Sequence, residues 1–180
     1  MDLFKELNTK RLLLKKYELK YAQKIYNCIY NNFEYYKYYY QVPFNSYEEY
    51  VELVKTYKEK YEKGNHFRWI IVEKENDEPV GLIQLHSFDA LNNSCKIGYA
   101  IGYNHQRKGY MKESIAAIIE FALKTLKVHR IEAEIVEENI DSIKLLESLN
   151  IKCEYEKKSS YKINDKYYDE KVYSIINNNY

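Results

Sequence analysis

Hydrophobic and polar positions divide the chain into segments with two different periods. Apolar residues recur at three- and four-residue steps in four segments, which predicts amphipathic helices. These segments are residues 18–30, 46–64, 109 onward and 139–149. Ser46 followed by Glu49 is a capping box, so the second helix is expected to begin there. Residues 31–41 have no clear period and predict an irregular segment.

Other segments are rich in β-branched and aromatic residues and predict strands. They are residues 11–15, 67–73, 80–88, 95–103, 129–136, 152–163 and 167–176. Turns at 76–79 and 90–93 would join three of them into an antiparallel meander, and 164–165 would join the last two. We therefore expect one α/β (α+β) domain over residues 1–180, with helices on both faces of a mixed, mostly antiparallel sheet of about seven strands.

The segment 104–114 carries the clearest chemical signal. It is predicted to lead from a strand into a helix, and the first N–H groups of a helix have no intrahelical partner. These groups and the helix dipole favour a bound phosphate. Gly109 lets the main chain approach an anion, while Arg107 and Lys108 add charge and Gln106 adds an amide. A nucleotide-like ligand held mainly by main chain is the prediction.

Composition excludes several classes of function. The net charge is +1, so no global field gathers nucleic acid or an anionic membrane. No run of 18 apolar residues is present, and the first residues do not resemble a signal peptide. The three cysteines form no C-x-x-C pair, and His66, His86 and His129 lack ligand spacing, so these histidines are interpreted as structural. We expect a cytoplasmic protein with no metal, nucleic-acid or membrane partner.

Tyrosine is unusually frequent, with 22 residues in the chain, many of them between positions 17 and 61. One interpretation is an aromatic wall for a substrate or a homodimer surface. The other is compositional, because Lys, Asn, Ile and Tyr are all frequent, as AT-rich coding would produce.

The element order and the anion-binding turn together resemble the GNAT superfamily of acyl-CoA-dependent N-acetyltransferases. The family loop reads [Gln/Arg]-x-x-Gly-x-[Gly/Ala], and Gln106-Arg-Lys-Gly109-Tyr-Met111 matches it at the first and fourth positions. Met111 departs at the sixth. The segment 109–114, Gly-Tyr-Met-Lys-Glu-Ser, is similar to the RimJ/RimL-type branch that acetylates ribosomal-protein N-termini. Asn139-x-x-Ser142, about thirty residues after the loop, strengthens the resemblance.

The resemblance implies that acetyl-CoA is the cosubstrate and that two sets of residues contact it. The pyrophosphate would lie on Gln106, Arg107, Lys108, Gly109, Tyr110 and Met111. The pantetheine arm would lie along the strand from Tyr99, where this strand and the next one splay apart. The main-chain N–H near Ile101 would hydrogen-bond the thioester carbonyl, and Asn139 would contact the pantetheine arm. Ser142 would donate a proton to the departing thiolate.

The general base is less determined. Lys96 stands where relatives often place a carboxylate. Glu134, Glu132 and Tyr161 are candidates acting directly or through water, and each is also interpretable as an ordinary strand position. A water chain with no single essential base is a further alternative.

Three functions remain open from the sequence. The first is acetylation of a protein or peptide N-terminal α-amino group by direct attack in a ternary complex. The second is the same reaction on a polyamine, an amino acid or an aminoglycoside. The third is a non-catalytic acyl-CoA-binding module. Glu34 is the only carboxylate between Asn31 and Tyr47, which favours a peptide or a small neutral amine over a polycation.

Overall fold

A computed structural model describes residues 4–30, 38, 44, 46–163 and 165–178. Within these residues the chain forms one eight-stranded sheet in the order β1-β2-β3-β4-β5-β6-β8-β7. The strands are β1 (Leu7–Asn8), β2 (Leu12–Lys16), β3 (Phe67–Glu73), β4 (Glu78–Asp89), β5 (Ser94–Ile101), β6 (Arg130–Val136), β7 (Cys153–Ile163) and β8 (Lys166–Ile176). The α-helices are α1 (Ala22–Ile25), α2 (Tyr47–Lys55), α3 (Tyr57–Glu62), α4 (Tyr110–Lys124) and α5 (Ile140–Ser148).

The predicted architecture is confirmed, with one additional strand. Neighbouring strands are antiparallel except β5 and β6, which are parallel. Strands β3, β4 and β5 form the expected meander. The additional strand, β1, is only two residues long and pairs with β2. Two residues are too few to show a period, which is why the pattern did not reveal it.

Helices cover both faces because the central strands are apolar on both sides. Trp69 and Ile71 face α4, whose buried stripe includes Ile115 and Ile118. Ile70 lies on the opposite face with the helices α1, α2 and α3. Strand β3 is therefore almost entirely buried, which explains its unbroken apolar run.

Five tyrosines of the tyrosine-rich stretch belong to this second core. They are Tyr17, Tyr21, Tyr50, Tyr57 and Tyr61. Each is at most 7% exposed, so these five pack the interior and not a free surface. Their hydroxyls find internal partners, as in the bond from the Tyr61 hydroxyl to the carbonyl of Arg68 at 2.9 Å.

The predicted helix over 18–30 is not regular. It consists of a 3₁₀ turn (Leu19–Tyr21), the short helix α1 and a π-helical turn (Tyr26–Tyr30). Ala22, Ile25 and Ile29 are all fully buried, so the wider π turn keeps Ile29 on the inner face.

The predicted helix over 46–64 is two helices, α2 and α3, which meet at Thr56. Its start is confirmed, because the Ser46 hydroxyl accepts from the N–H of Glu49 at 3.3 Å.

Element ends differ from the prediction by a few residues. Strand β5 ends at Ile101 and is followed by a 3₁₀ turn (Tyr103–His105), so 102–103 are not part of the strand as expected. The turn predicted at 76–79 is wrong at its end, because Glu78 and Pro79 already belong to β4. Asn150 has the positive φ expected of a residue that ends a helix, 60°. The predicted irregular segment 31–41, apart from Tyr38, and Asn164 of the last turn lie outside the described residues.

Candidate active site

One cavity of about 1150 Å³ joins the start of α4 to the middle of the sheet. At one end it is lined by the loop and first turn at 106–112. Its floor is β5 from Lys96 to Ile101, and its other end is formed by side chains of β3 and β4 and by His66. We refer to these as the loop end and the sheet end of the cavity.

The loop end presents main chain. Arg107 and Gly109 have positive φ values of 58° and 78°, and α4 begins at Tyr110 directly after Gly109. No side chain caps this helix, so the N–H groups of its first turn point out of the helix end without an intrahelical acceptor. The sequence-predicted geometry of an anion-binding turn is therefore present here.

Contacts of Thr9 and Arg11 with Glu113 and Lys108, which we call the clamp, hold this loop in place. The carboxylate of Glu113, in the first turn of α4, accepts from the Thr9 hydroxyl at 2.6 Å and from the N–H and Nε of Arg11 at 2.8 Å. Arg11 also donates from Nη1 to the carbonyl of Lys108 at 2.8 Å. Burial raises the pKa of Glu113, but the hydrogen bonds from Thr9 and Arg11 outweigh it, so the net pKa is lowered.

Gly109 is needed for space as well as for conformation. A Cβ built on it would lie 3.2 Å from Nη2 of Arg11, the side chain that grips the loop. Any larger residue would have to adopt a left-handed conformation and also displace the clamp. Tyr110 and Met111 are buried, so only their main chain is available to a ligand at this end.

A gap between β5 and β6 opens the floor of the cavity. The parallel pairing consists of Ser94–Arg130, Cys95–Ile131 and Lys96–Glu132, and these two fully described strands have no pair beyond Lys96. The residues that follow on β5 line the cavity. The splay implied by the family resemblance is therefore a feature of this sheet.

Two predicted site residues meet beside this gap. The hydroxyls of Tyr99 and Ser142 lie 2.7 Å apart. Asn139, the N-cap of α5, accepts from the N–H of Ser142 through Oδ1 at 3.3 Å, and this bond fixes the start of the helix. Burial raises the pKa of Tyr99, so its hydroxyl stays protonated at neutral pH.

The sheet end is built from side chains on neighbouring strands. Arg68 on β3 pairs across the sheet with Gln84 on β4, and Gln84 pairs with Gly98 on β5. Nε of Arg68 donates to Oε1 of Gln84 at 2.8 Å, and His66 bonds the same oxygen at 3.1 Å. A Cβ on Gly98 would lie 3.1 Å from Nε2 of Gln84 and 3.5 Å from Nε2 of His86, so the absence of a side chain lets these two side chains pack closely over β5.

His66 and His86 line the cavity, and their sequence-based interpretation as purely structural residues misses this position. Burial and, to a smaller extent, the positive charge of Arg68 together lower the pKa of each to about 4. Both rings are therefore neutral at physiological pH and can accept or donate hydrogen bonds.

Glu134, a predicted catalytic residue, lies in the cavity wall but is ion-paired. Its Oε1 accepts from Nζ of Lys96 at 2.7 Å and also from Nζ of Lys157. Burial raises the pKa of Glu134, but the hydrogen bonds from the two lysines outweigh this, and the net pKa is lowered. A carboxylate held in this way is a weak proton acceptor.

Two other predicted residues are not in the lining of the cavity. Tyr161 is buried on β7, and burial raises its pKa to about 12. Lys108 contributes its carbonyl to the Arg11 clamp. The catalytic role of Tyr161 and the phosphate role of the Lys108 side chain stay predictions. Gln106, Arg107, Ile101 and Asn139 all contribute to the lining, and their predicted contacts with the coenzyme stay predictions.

The sequence prediction missed Arg68, Gln84 and His86 as site residues. They lie in two separate strands and meet only through the register of β3 with β4. A polar residue at alternate positions of otherwise apolar strands was the available signal. Of the tyrosine-rich stretch, Tyr30 and Tyr38 line the cavity, whereas Glu34 lies outside the described residues.

The described residues contain no group of three or more His, Cys, Asp or Glu side chains that could hold a metal ion. None of the helices described is both long enough and apolar enough to cross a bilayer.

Comparison with known proteins agrees with this geometry. The family model for the acetyltransferase (GNAT) domain matches residues 11–152. The chain is 31% identical over 175 residues to the uncharacterized N-acetyltransferase p20 of Bacillus licheniformis, covering 97% of each protein. It is 25% identical over 150 residues to spermidine N(1)-acetyltransferase of Vibrio cholerae, covering 83% of this chain and 84% of that protein.

A solved structure shows the same fold with coenzyme bound. It is RimL, a ribosomal L7/L12 alpha-N-protein acetyltransferase in complex with coenzyme A. Its TM-score is 0.87 at 18% identity, with 96% of this chain and 98% of that chain covered. The family match, the anion-binding turn and the open gap in the sheet agree with one another. The chain belongs to the GNAT family and is an acetyl-CoA-dependent N-acetyltransferase.

Proposed function

We propose that this enzyme acetylates an α-amino group, at the start of a peptide or on an amino acid, by direct attack in a ternary complex. The observation that carries the proposal is the continuous cavity from the loop end, past the gap between β5 and β6, to the sheet end. Such a cavity can hold both substrates at once. No enzyme nucleophile is then needed between them.

The loop end fits the diphosphate of acetyl-CoA. N–H groups between Gln106 and Met111 would bind its oxygens, and Gly109 leaves room for their approach. The side chain of Arg107, which lines the cavity, would add a charged contact. From there β5 offers its main chain to the pantetheine arm, and Asn139 lies on the opposite wall of the gap.

The chemistry needs one bond formed, one broken and two proton movements. The amine nitrogen forms a bond to the acetyl carbonyl carbon, and the bond from that carbon to sulfur breaks. The main-chain N–H near Ile101 is proposed to stabilise the oxyanion. The proton for the departing thiolate comes from the hydroxyl pair of Tyr99 and Ser142, which lies beside the gap.

The amine also has to lose a proton. His86 is a suitable acceptor because it is neutral, lines the cavity and places its Nε2 beside Gly98 of β5. Its Nδ1 lies 2.9 Å from the Ser87 hydroxyl, and in the tautomer in which Nδ1 donates to that hydroxyl, Nε2 is the acceptor. Glu134 is less suited, since two lysines hold it in its charged form. A water chain from Glu134 remains the alternative route.

Because the bases available in the cavity are weak, acetylation of an α-amino group is favoured over acetylation of a lysine-like amine. A peptide α-amino group has a pKa near 8 and a lysine amine one near 10.4, so the neutral fraction differs by about 250-fold at pH 7. Neither His86, with a pKa of about 4, nor the ion-paired Glu134 is basic enough to offset this difference. The buried charge of Arg68 at the sheet end also repels a polyamine.

A matched pair of lysine derivatives tests the proposal. Lysine blocked by acetylation at its side-chain amine offers only the α-amine, and lysine blocked at the α-amine offers only the side chain. Both keep the carboxylate. With acetyl-CoA, we expect thiol release and acetylated product from the first at a rate at least about 10-fold above the second.

Spermidine and a set of short peptides complete the panel. A clear preference for spermidine or for the free side-chain amine would contradict the α-amino assignment and support the small-amine alternative. Binding of acetyl-CoA without product from any amine would instead identify a non-catalytic acyl-CoA-binding module.

A further inference from the structure

Arg68 is a buried cation without a carboxylate partner among the described residues. It is 5% exposed, yet it lines the cavity. Both Nε and Nη2 donate to Oε1 of Gln84, Nη1 donates to the hydroxyl of Tyr57, and Tyr30 also hydrogen-bonds the guanidinium, which lies 4.6 Å from the centre of the Tyr57 ring. All of these partners are neutral. A buried charge with only neutral partners is costly unless something else compensates it.

The titratable groups around Arg68 do not cancel its charge. His66 and His86 are neutral at physiological pH because the pKa of each is about 4. Lys96 is already paired with Glu134, which Lys157 also holds. The tyrosines packed nearby are protonated, since burial raises the pKa of Tyr57 and Tyr61. The sheet end therefore has a net positive charge that faces the cavity.

The strand register sets how far this charge is from the floor of the cavity. Arg68, Gln84 and Gly98 lie in one row across β3, β4 and β5. Two strand spacings separate Arg68 from Gly98, about 10 Å between their Cα atoms. The arginine side chain reaches across to Gln84, whose amide nitrogen in turn packs against Gly98. A group bound to the guanidinium would therefore lie a few bonds from an amine over β5.

We propose that Arg68 binds a carboxylate of the acceptor, so that the substrates are amines carrying a carboxylate within a few bonds of the amino group. This inference rests on the proposed α-amino acetylation and specifies its substrate. A guanidinium can bind a carboxylate through two parallel N–H groups, and here Nε and Nη2 would exchange their shared acceptor, Oε1 of Gln84, for the two oxygens of the carboxylate. The carboxylate has two sources, the α-carboxylate of a free amino acid or the side chain of an acidic first residue of a peptide.

The first test uses the wild-type enzyme and two matched substrate pairs. One pair is a free amino acid and its carboxamide. The other is a peptide with a blocked C-terminus that begins with Glu or with Gln. For one pair at least, we expect kcat/KM to be about 10- to 100-fold higher for the carboxylate member, the size of a hydrogen bond to a charged group. The pair that shows the preference identifies the source of the carboxylate.

The second test removes the charge. Arg68→Gln should reduce the preference to within about 2- to 3-fold, mainly through KM, whereas Arg68→Lys should retain part of it. Arg130→Gln is the matched control, because Arg130 pairs with Glu132 on β6 and Glu154 on β7 and is not part of the cavity lining. This control should keep the wild-type preference. If Arg68→Gln does not fold, the substrate pairs with the wild type and Arg68→Lys decide the result.

Two outcomes would overturn the assignment. The first is that, in both substrate pairs, the wild-type enzyme acetylates the neutral member as fast as the carboxylate member or faster. The second is that folded Arg68→Gln keeps the wild-type preference for the carboxylate member. If coenzyme A binds but no amine reacts, the proposed function fails and calorimetry tests the anion site separately. Titrating the coenzyme A complex with each pair should then show tighter binding of a carboxylate member, lost in Arg68→Gln. Equal binding of charged and neutral members would refute the site.

Discussion

The two ends of the cavity are built in different ways. The loop end uses main chain from one short stretch, 106–112, shaped by Gly109 and the start of α4. The sheet end uses the side chains of Arg68, Gln84 and His86, which come from two strands and meet through their register. The difference matches their proposed tasks, since the diphosphate is common to every reaction and the acceptor differs between enzymes.

This contrast also explains what each end tolerates. A substitution cannot remove a main-chain N–H group. The loop end can therefore be altered only at Gly109, where a side chain must be absent, or by breaking the bond from Arg11 to the carbonyl of Lys108. At the sheet end, every recognising group is a side chain and can be exchanged singly. We therefore expect substitutions at the loop end to alter coenzyme binding and those at the sheet end to alter acceptor choice.

The largest effect is expected for Gly109→Glu. A carboxylate beside the N–H groups of the first turn of α4 repels a phosphate, and the side chain also occupies its approach. Affinity for acetyl-CoA should fall at least about 100-fold, as measured by calorimetric titration.

Gly64→Glu is the control for this variant. Gly64 also has a positive φ, 66°, but a Cβ there meets nothing within 4 Å. Each variant carries the left-handed penalty of about 1–2 kcal/mol in stability, and only Gly109→Glu should lose the coenzyme. Similar affinities in the two variants would mean that the loop does not bind the diphosphate.

An intermediate effect is expected for Ser142→Ala, at the junction of the two ends. Removing the hydroxyl that pairs with Tyr99 should lower kcat by about 10- to 100-fold, because proton donation to the thiolate is impaired. The affinity for acetyl-CoA should change little. Ser148→Ala on the same helix is the control, since its hydroxyl bonds the carbonyl of Leu145 on the exposed side. An unchanged kcat in Ser142→Ala would assign the proton donor elsewhere, with Tyr161→Phe the next variant to measure.

The smallest effect is on the free energy of unfolding, whose dependence on pH differs between the two ends of the cavity. An unfolded histidine binds its proton near pH 6.5, whereas folded His66 and His86 do so only near pH 4. The unfolded state therefore holds more protons between these values, and stability falls as the pH drops through this window. We expect each histidine to account for about 1–2 kcal/mol of that loss.

Thermal unfolding of His66→Gln and His86→Gln between pH 7 and pH 4 provides the measurement. Each variant should show a shallower decline than the wild type. At the loop end, Glu113 has a lowered pKa, so its contribution is present above its unfolded pKa, near 4.3, and is lost only as the pH falls through its lower folded value. Identical pH dependence in the wild type and both histidine variants would contradict the burial of these rings.

The sequence predicted the loop end well because its signal is local. Gln106 to Met111 are adjacent in the chain, and the periodic apolar positions after Gly109 identify the helix whose N-terminus they form. The same holds for the long strands and for α4. Very short elements leave too few residues to show a pattern. For this reason the sequence did not predict the two-residue strand β1 or the π turn after α1.

The sheet end could not be predicted because register is not a local property. Nothing in the sequence around Arg68 indicates that it pairs with Gln84, or that Gln84 in turn pairs with Gly98. The ion pairs of Glu134 depend likewise on strands far apart in the chain, with Lys96 and Lys157 on either side. The predicted base was therefore in the right cavity but in an environment that only the fold reveals.

The contact of Arg11 and Thr9 with Glu113 joins parts of the chain about a hundred residues apart. If the loop binds the coenzyme as proposed, retention of the coenzyme is tied to the docking of the first strand pair. Separation of β1 and β2 from the sheet would then loosen the loop end of the cavity, although neither strand contributes a residue to the cavity lining. Conversely, a bound coenzyme should slow amide hydrogen exchange in β2. The exchange rate of the β1–β2 hairpin would then report whether the coenzyme site is occupied, although the hairpin does not line that site.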